Sequence, residues 1–148
     1  MRRQERLTNI LRQYGVKAAY IFGSQKEAGM AFLKGNVPMV AETADLDIGV
    51  IFEKLPEDAF KIYGELYADL SLFFEPFGVD LVFLQETGSL FQYEAILGEV
   101  VYCEDESFLE AYEERALKMA SDLSFKKNEF ETDFLEAIKD GYFEIEHR

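Results

Sequence analysis

The hydrophobic positions change period several times along the chain, and each change marks an element. Leu7, Ile10, Leu11 and Tyr14 recur at the spacing of one helical face within residues 3–14, and Gly15 is a natural stop. The run VKAAYIF (16–22) reads as a mostly buried strand. It breaks at Gly23-Ser24, and QKEAGMAFL (25–33) follows as a short helix. KGNVPMVAETA (34–44) combines Gly, Asn and Pro and reads as a loop.

DLDIGVIF (45–52) is the second predicted strand. Leu55-Pro56 opens a helix, with Pro where the first turn tolerates it, and Glu75-Pro76 ends it. Phe60, Tyr63, Tyr67, Leu70 and Phe74 are its expected buried stripe. VDLVFL (79–84) is a third strand. Ser89 and Gln92 have the spacing of a capping box for a helix through Leu97, which Gly98 closes. EVVYC (99–103) is a fourth, shorter strand. From about Ser107 the pattern is helical, with Leu109, Tyr112, Ala116, Met119 and Leu123 on one face. Phe130, Phe134, Ile138 and Tyr142 continue it after a phase slip near residues 124–128, which predicts a kink or two helices. The expected architecture is α/β: a mixed β-sheet flanked by helices over residues 1–104, with a C-terminal helical extension over 105–148 packed on the same domain.

Composition narrows the chemistry. The chain has 148 residues, 49% of them hydrophobic, with 14 Phe and 8 Tyr, a globular composition. No apolar run reaches the ~18 residues of a membrane span. The N-terminal MRRQERLTNILRQYG is basic without an apolar core and makes a poor signal peptide. Cys103 stands alone, so no internal disulfide is possible, and a reducing compartment, the cytoplasm, is expected. The net charge of −14 and the lack of a basic patch argue against nucleic-acid binding. That charge serves solubility or steers a basic protein partner. One His, His147 near the C-terminus, and one Cys exclude a zinc cluster of thiolates and imidazoles and make a histidine-based triad a poor expectation. Carboxylates, hydroxyls, lysines and oxygen-bound metals remain.

Three features use what remains. A strand ending in Gly23-Ser24 before a helix lets an anion approach backbone N–H groups, although the same pair also serves as a plain turn and cap. In ADLDIGVIF, Asp45 and Asp47 are two apart and face the same side of a strand. No Lys or Arg lies within residues 35–53 to pair them, so either the acids sit at an exposed strand start or they await a cation. Asp80 repeats the pattern in FGVDLVFL, where no basic residue follows Lys61 until Arg115. Three carboxylates on two strands near a Gly-Ser turn are an oxygen-rich set suited to Mg²⁺ and phosphoryl transfer. They are expected at one end of the sheet, around a common cation position, facing the helix after Ser24.

With these motifs the chain resembles the minimal nucleotidyltransferases of the DNA polymerase β superfamily, and more closely the MNT antitoxins paired with HEPN ribonuclease toxins. The resemblance rests on Gly23-Ser24, Asp45-Leu46-Asp47 and Asp80, and extends through LRQYGVKAAYIFGS, VDLVFL, YEAILGEVVYCED and the acidic-aromatic C-terminal helix. It implies a nucleotidyltransferase fold, ATP and Mg²⁺ as cofactors, and transfer of AMP to a tyrosine hydroxyl of a HEPN toxin. It also implies metal ligation by Asp45, Asp47 and Asp80, help from Asp80 in activating the acceptor, and nucleotide binding by Gly23 and Ser24. The toxin is expected to dock through the C-terminal helix and the acidic surface. The chain departs from the family pattern in its longer spacer (25–44) and in having Gln25, Lys26 and Glu27 where an arginine is common, which leaves Lys26 and Lys34 near the phosphates. Inhibition by contact alone, and a small-molecule acceptor, are the alternatives.

Overall fold

The computed structural model describes residues 2–36, 39 and 44–139. Most of the predicted 34–44 loop, and Tyr142, therefore lie outside the described residues. Four strands, β1 (Ala18–Phe22), β2 (Leu46–Ile51), β3 (Val79–Phe83) and β4 (Glu99–Cys103), form one sheet in the order β3-β2-β1-β4. β1 is antiparallel to β2 and β4, and β2 is parallel to β3, so the sheet is mixed as expected. The helices are α1 (Arg3–Gln13), α2 (Lys26–Leu33), α3 (Ala59–Phe73), α4 (Ser89–Ile96) and α5 (Glu106–Lys139).

Alternation along the strands creates two faces. One carries Ala19, Ile21, Ile48, Val50, Leu81 and Phe83 and is covered by α1, α2 and α3 in a single cluster. Phe32 of α2 is edge-on to Phe73 at 5.7 Å and to Phe77 at 5.8 Å, a favoured aromatic geometry. The other face carries Ala18, Tyr20, Phe22 and Ile51, covered by Ala95 of α4 and Tyr112 and Ala116 of α5. Tyr20 donates its hydroxyl proton to Glu113, which ties α5 to the central strand.

Three details differ from the sequence expectation. The stripe of α3 is Leu66, Leu70, Phe73 and Phe74, whereas Phe60 is 96% exposed and Tyr67 is half-exposed. Leu70, Phe74 and Tyr63 face the core as expected; Leu66 and Phe73 join them through contact with α1 and β3, and only Phe60 and Tyr67 depart from the predicted stripe. The capping box is absent: Gly88 is the N-cap, Ser89 lies inside the first turn, and Gln92 donates to the Thr87 carbonyl at 2.9 Å. α5 is one uninterrupted 34-residue helix rather than two. Its packed stripe is Tyr112, Ala116 and Ala120. Met119 and Leu123 are exposed, as is every residue from 121 to 136. No described helix is long and apolar enough to cross a membrane.

Candidate active site

The strand register draws the sequence signals together. Phe22, the last residue of β1, is paired with Asp47, and Asp47 is paired with Asp80 across the parallel β2–β3 ladder. Paired positions share a face, so both carboxylates rise from the α4/α5 side of the sheet, at the end where β1 gives way to Gly23-Ser24.

Gly23 explains why glycine stands at that turn. Its φ is +81°, a left-handed conformation that side chains rarely adopt. A Cβ on it would also lie 2.0 Å from Asp47 Oδ2, so the carboxylate rests directly over the turn. Gly78, just before β3, does the same for Asp45: a Cβ there would meet Asp45 Oδ1 at 2.4 Å. The sequence reading missed Gly78, although its place two residues before Asp80 was the available signal.

Electrostatics mark Asp47 as the centre of the group. Its carboxyl is pushed above the usual range by burial first, then by the Asp80 charge, by a hydrogen bond with Asp80, and by the Asp45 charge. Like charges this close repel, and a cation bound between them relieves that repulsion. Asp45 acts on the pair only through its charge. Among the described residues no three acidic, His or Cys side chains form a ready-made cation cage, so the expected common point for all three carboxylates is met by the Asp47–Asp80 pair alone. An oxygen-only pair still fits Mg²⁺, which binds proteins through one or two carboxylates and takes its other ligands from water and substrate phosphates.

The surroundings add donors for an anion. Ser24 is exposed, and α2 begins beside the turn without a side-chain cap, its Lys26 N–H donating back to the Gly23 carbonyl at 3.3 Å; the positive end of the helix still favours an anion there. Lys26 and Lys34 line a depression of about 320 Å³ along α2, with Glu27 and Glu99 on its wall. Tyr63, read from the sequence only as core, donates its hydroxyl proton to the Leu81 carbonyl at 2.7 Å. Burial and then the Asp80 charge make that proton harder to remove. This hydroxyl props the edge strand that carries Asp80.

Comparison with known proteins agrees with this fold. The family model described as polymerase beta, nucleotidyltransferase, matches residues 5–107. No protein with a curated description matches the chain. Among solved structures, a mutant of the toxin–antitoxin MntA–HpeT superposes with a TM-score of 0.65 at 16% identity, covering 89% of this chain and 98% of that one. The complex of a tri-AMPylated Shewanella oneidensis HEPN toxin with its MNT antitoxin gives 0.58 at 17% identity, covering 90% and 96%. A toxin–antitoxin structure with AMP-PNP also gives 0.58 at 17%, covering 89% and 98%.

Proposed function

The chain belongs to the polymerase β-type nucleotidyltransferases, a family whose model spans most of its length, and from that premise we propose that it is an Mg²⁺-dependent protein adenylyltransferase. In this reading it is an antitoxin that moves AMP from ATP to a tyrosine hydroxyl of a HEPN ribonuclease toxin in the cytoplasm. Residues 1–104 are the catalytic core, and 105–148 are a helical extension that helps hold the toxin. The observation that carries the reading is the Asp47–Asp80 pair, with Asp47 lying over the Gly23 turn. Toxin and AMP enter from fold neighbours, described as an AMPylated toxin with its MNT antitoxin and as a toxin–antitoxin with AMP-PNP.

Each residue has a defined task. Gly23 and Ser24, at the positive end of α2, receive the triphosphate; Lys26 and Lys34 offset its charge from the side. Asp47 and Asp80 would hold Mg²⁺, with the Asp45 charge beside them, and the bound ion would neutralise charge developing on the phosphoryl oxygens. The tyrosine oxygen attacks the α-phosphorus, the bond to the β-phosphate bridging oxygen breaks, and pyrophosphate leaves. In this reading the exposed Asp80 helps to take the hydroxyl proton.

The test is co-expression with a HEPN toxin, followed by mass spectrometry of the toxin. Added AMP with the native chain, and none with Asp47→Asn, is expected. A toxin that is inhibited but unmodified would overturn the catalytic reading. That outcome would favour inhibition by contact, a second reading motivated by the exposed Phe125, Phe130 and Leu135 of α5.

A further inference from the structure

Phe91 is 40% exposed, although it lies on the helix that covers the carboxylate-bearing face of the sheet. Its ring stands edge-on to Phe22, with centroids 5.9 Å apart and planes at 89°. Phe22 is paired with Asp47, and Asp47 with Asp80. The row across this face therefore runs from an open aromatic ring through a buried one to two carboxylates.

The path of the chain holds Phe91 in that row. α4 starts after the turn that follows β3 and ends at Ile96, and just beyond it the Gly98 backbone presses on Phe22: a Cβ at Gly98 would lie 2.7 Å from Phe22 Cβ and 2.4 Å from the Ile21 carbonyl oxygen. α4 is thus pinned against the end of β1 that leads into Gly23-Ser24. Phe22 covers part of the Phe91 ring, and 40% of the residue's surface stays in contact with water, where apolar surface gains nothing. A planar apolar ligand group would bury it.

We propose that Phe91 is the nucleobase platform of this site, stacking the adenine of ATP while the triphosphate lies on the Gly23-Ser24 turn; this rests on the nucleotidyltransferase reading above. A base presents a flat π-face whatever its hydrogen-bonding edge, so a single aromatic ring binds it with little base preference. The edge-to-face contact with Phe22 holds the platform still before ligand arrives, which lowers the cost of ordering it.

The experiment is calorimetric titration of the full chain, in Mg²⁺, with ATP and separately with inorganic triphosphate. Phe91→Leu keeps apolar cover on Phe22 but removes the π-face. ATP affinity is expected to fall about tenfold, within the range for a lost base–aromatic stack. Triphosphate affinity should be unchanged, and Phe91→Trp should restore ATP binding. Equal weakening toward both ligands, an unchanged ATP affinity, or no rescue by Trp would overturn the platform. If the native chain bound neither ligand, the nucleotidyltransferase reading would fall and the platform with it. Native binding with an indifferent Phe91→Leu would remove the platform alone.

Discussion

On one face of the sheet Leu7, Leu11, Leu66, Leu70 and Phe74 are each at most 1% exposed, and three helices close over the strands from end to end. On the other face α4 and α5 cover the middle, and the end beyond Phe22 is left to Asp47 and Asp80. The same strands serve both faces, so the difference lies in the alternating side chains and in what packs on them. The closed face gains from burial, of order 1.5–3 kcal/mol for each large apolar side chain. On the open face burial first, and then the like charge of Asp80, raise the Asp47 pKa and oppose folding of the free protein above the ordinary carboxylate range. Stability and chemistry are therefore separable by face, and substitutions can test the separation.

The largest effect is expected from Asp45→Asn combined with Asp47→Asn. Size is kept and a mutual repulsion is removed, so the metal-free protein should melt at the same temperature or higher. Stabilisation by Mg²⁺ should vanish, because a ligand raises stability only where it has a site. Transfer of AMP from labelled ATP should fall by orders of magnitude. Native-like transfer would break the assignment of chemistry to the open face. The mirror experiment is Phe74→Ala on the closed face. It should cost ~3–5 kcal/mol in denaturant unfolding, the usual loss for a buried Phe. Transfer per folded molecule should hardly change.

Gly23→Ala tests the point where the faces meet. The left-handed φ alone costs about 1–2 kcal/mol for a residue with a Cβ. The collision with Asp47 Oδ2 adds to that and moves the carboxylate off the turn. Melting temperature and AMP transfer should fall together, unlike in either experiment above. A variant that loses stability but keeps full transfer would mean that Asp47 does not need the turn.

The open face was the more legible of the two from sequence. Asp47 and Asp80 stand out because ionised acids in apolar strands are costly, and that cost is visible without coordinates. Their meeting across β2 and β3 required only a parallel pairing. What the sequence could not give was relief: Gly78 under Asp45, and Phe22 beside Phe91, are contacts between segments distant in the chain. On the closed face the strands were legible, and so was part of the α3 stripe. Leu70 and Phe74 are buried and Tyr63 packs on the core as expected, whereas Phe60 and Tyr67 face outward and Leu66 and Phe73 take inner places because α1 and β3 lie there. At Ser89 local spacing suggested a cap, but Gly88 took that position and Gln92 turned to Thr87 and Tyr112.

The second half of α5 extends the contrast. Phe130 and Phe134 stack at 6.3 Å and are 69% and 45% exposed. Replacing both with Ser should change stability by no more than about 0.5 kcal/mol, as for surface sites generally. Pull-down of the HEPN toxin should weaken. If the acidic surface steers the toxin in, its association rate should also fall as salt rises, because exposed charges are screened beyond ~10 Å at 0.1 M. A rate indifferent to ionic strength would leave the charge of −14 to solubility.

The smallest expected effect is a slope with pH, and it reports on the open face alone. Asp47 binds its proton more tightly in the folded chain than in the unfolded one, chiefly through burial and then the Asp80 charge. Its contribution to stability is therefore complete below the ordinary Asp value and is lost as pH rises through the raised folded value. The unfolded state releases the proton first, from about pH 4, and the folded state later. Other carboxylates titrate in the same range, so the quantity to read is the difference between native and Asp47→Asn chains in EDTA. The Asn side chain does not ionise, so the native chain should lose stability relative to the variant across that window. Mg²⁺ should reverse the trend for the native chain, since it binds the deprotonated pair and binds better as the proton leaves. Because Asp47 is partly exposed, solvent screening keeps the slope small. A native-minus-variant difference that is flat from pH 4 to 7 in EDTA would mean that the two carboxyls do not feel each other, and the open face would then hold separate acids rather than a pair.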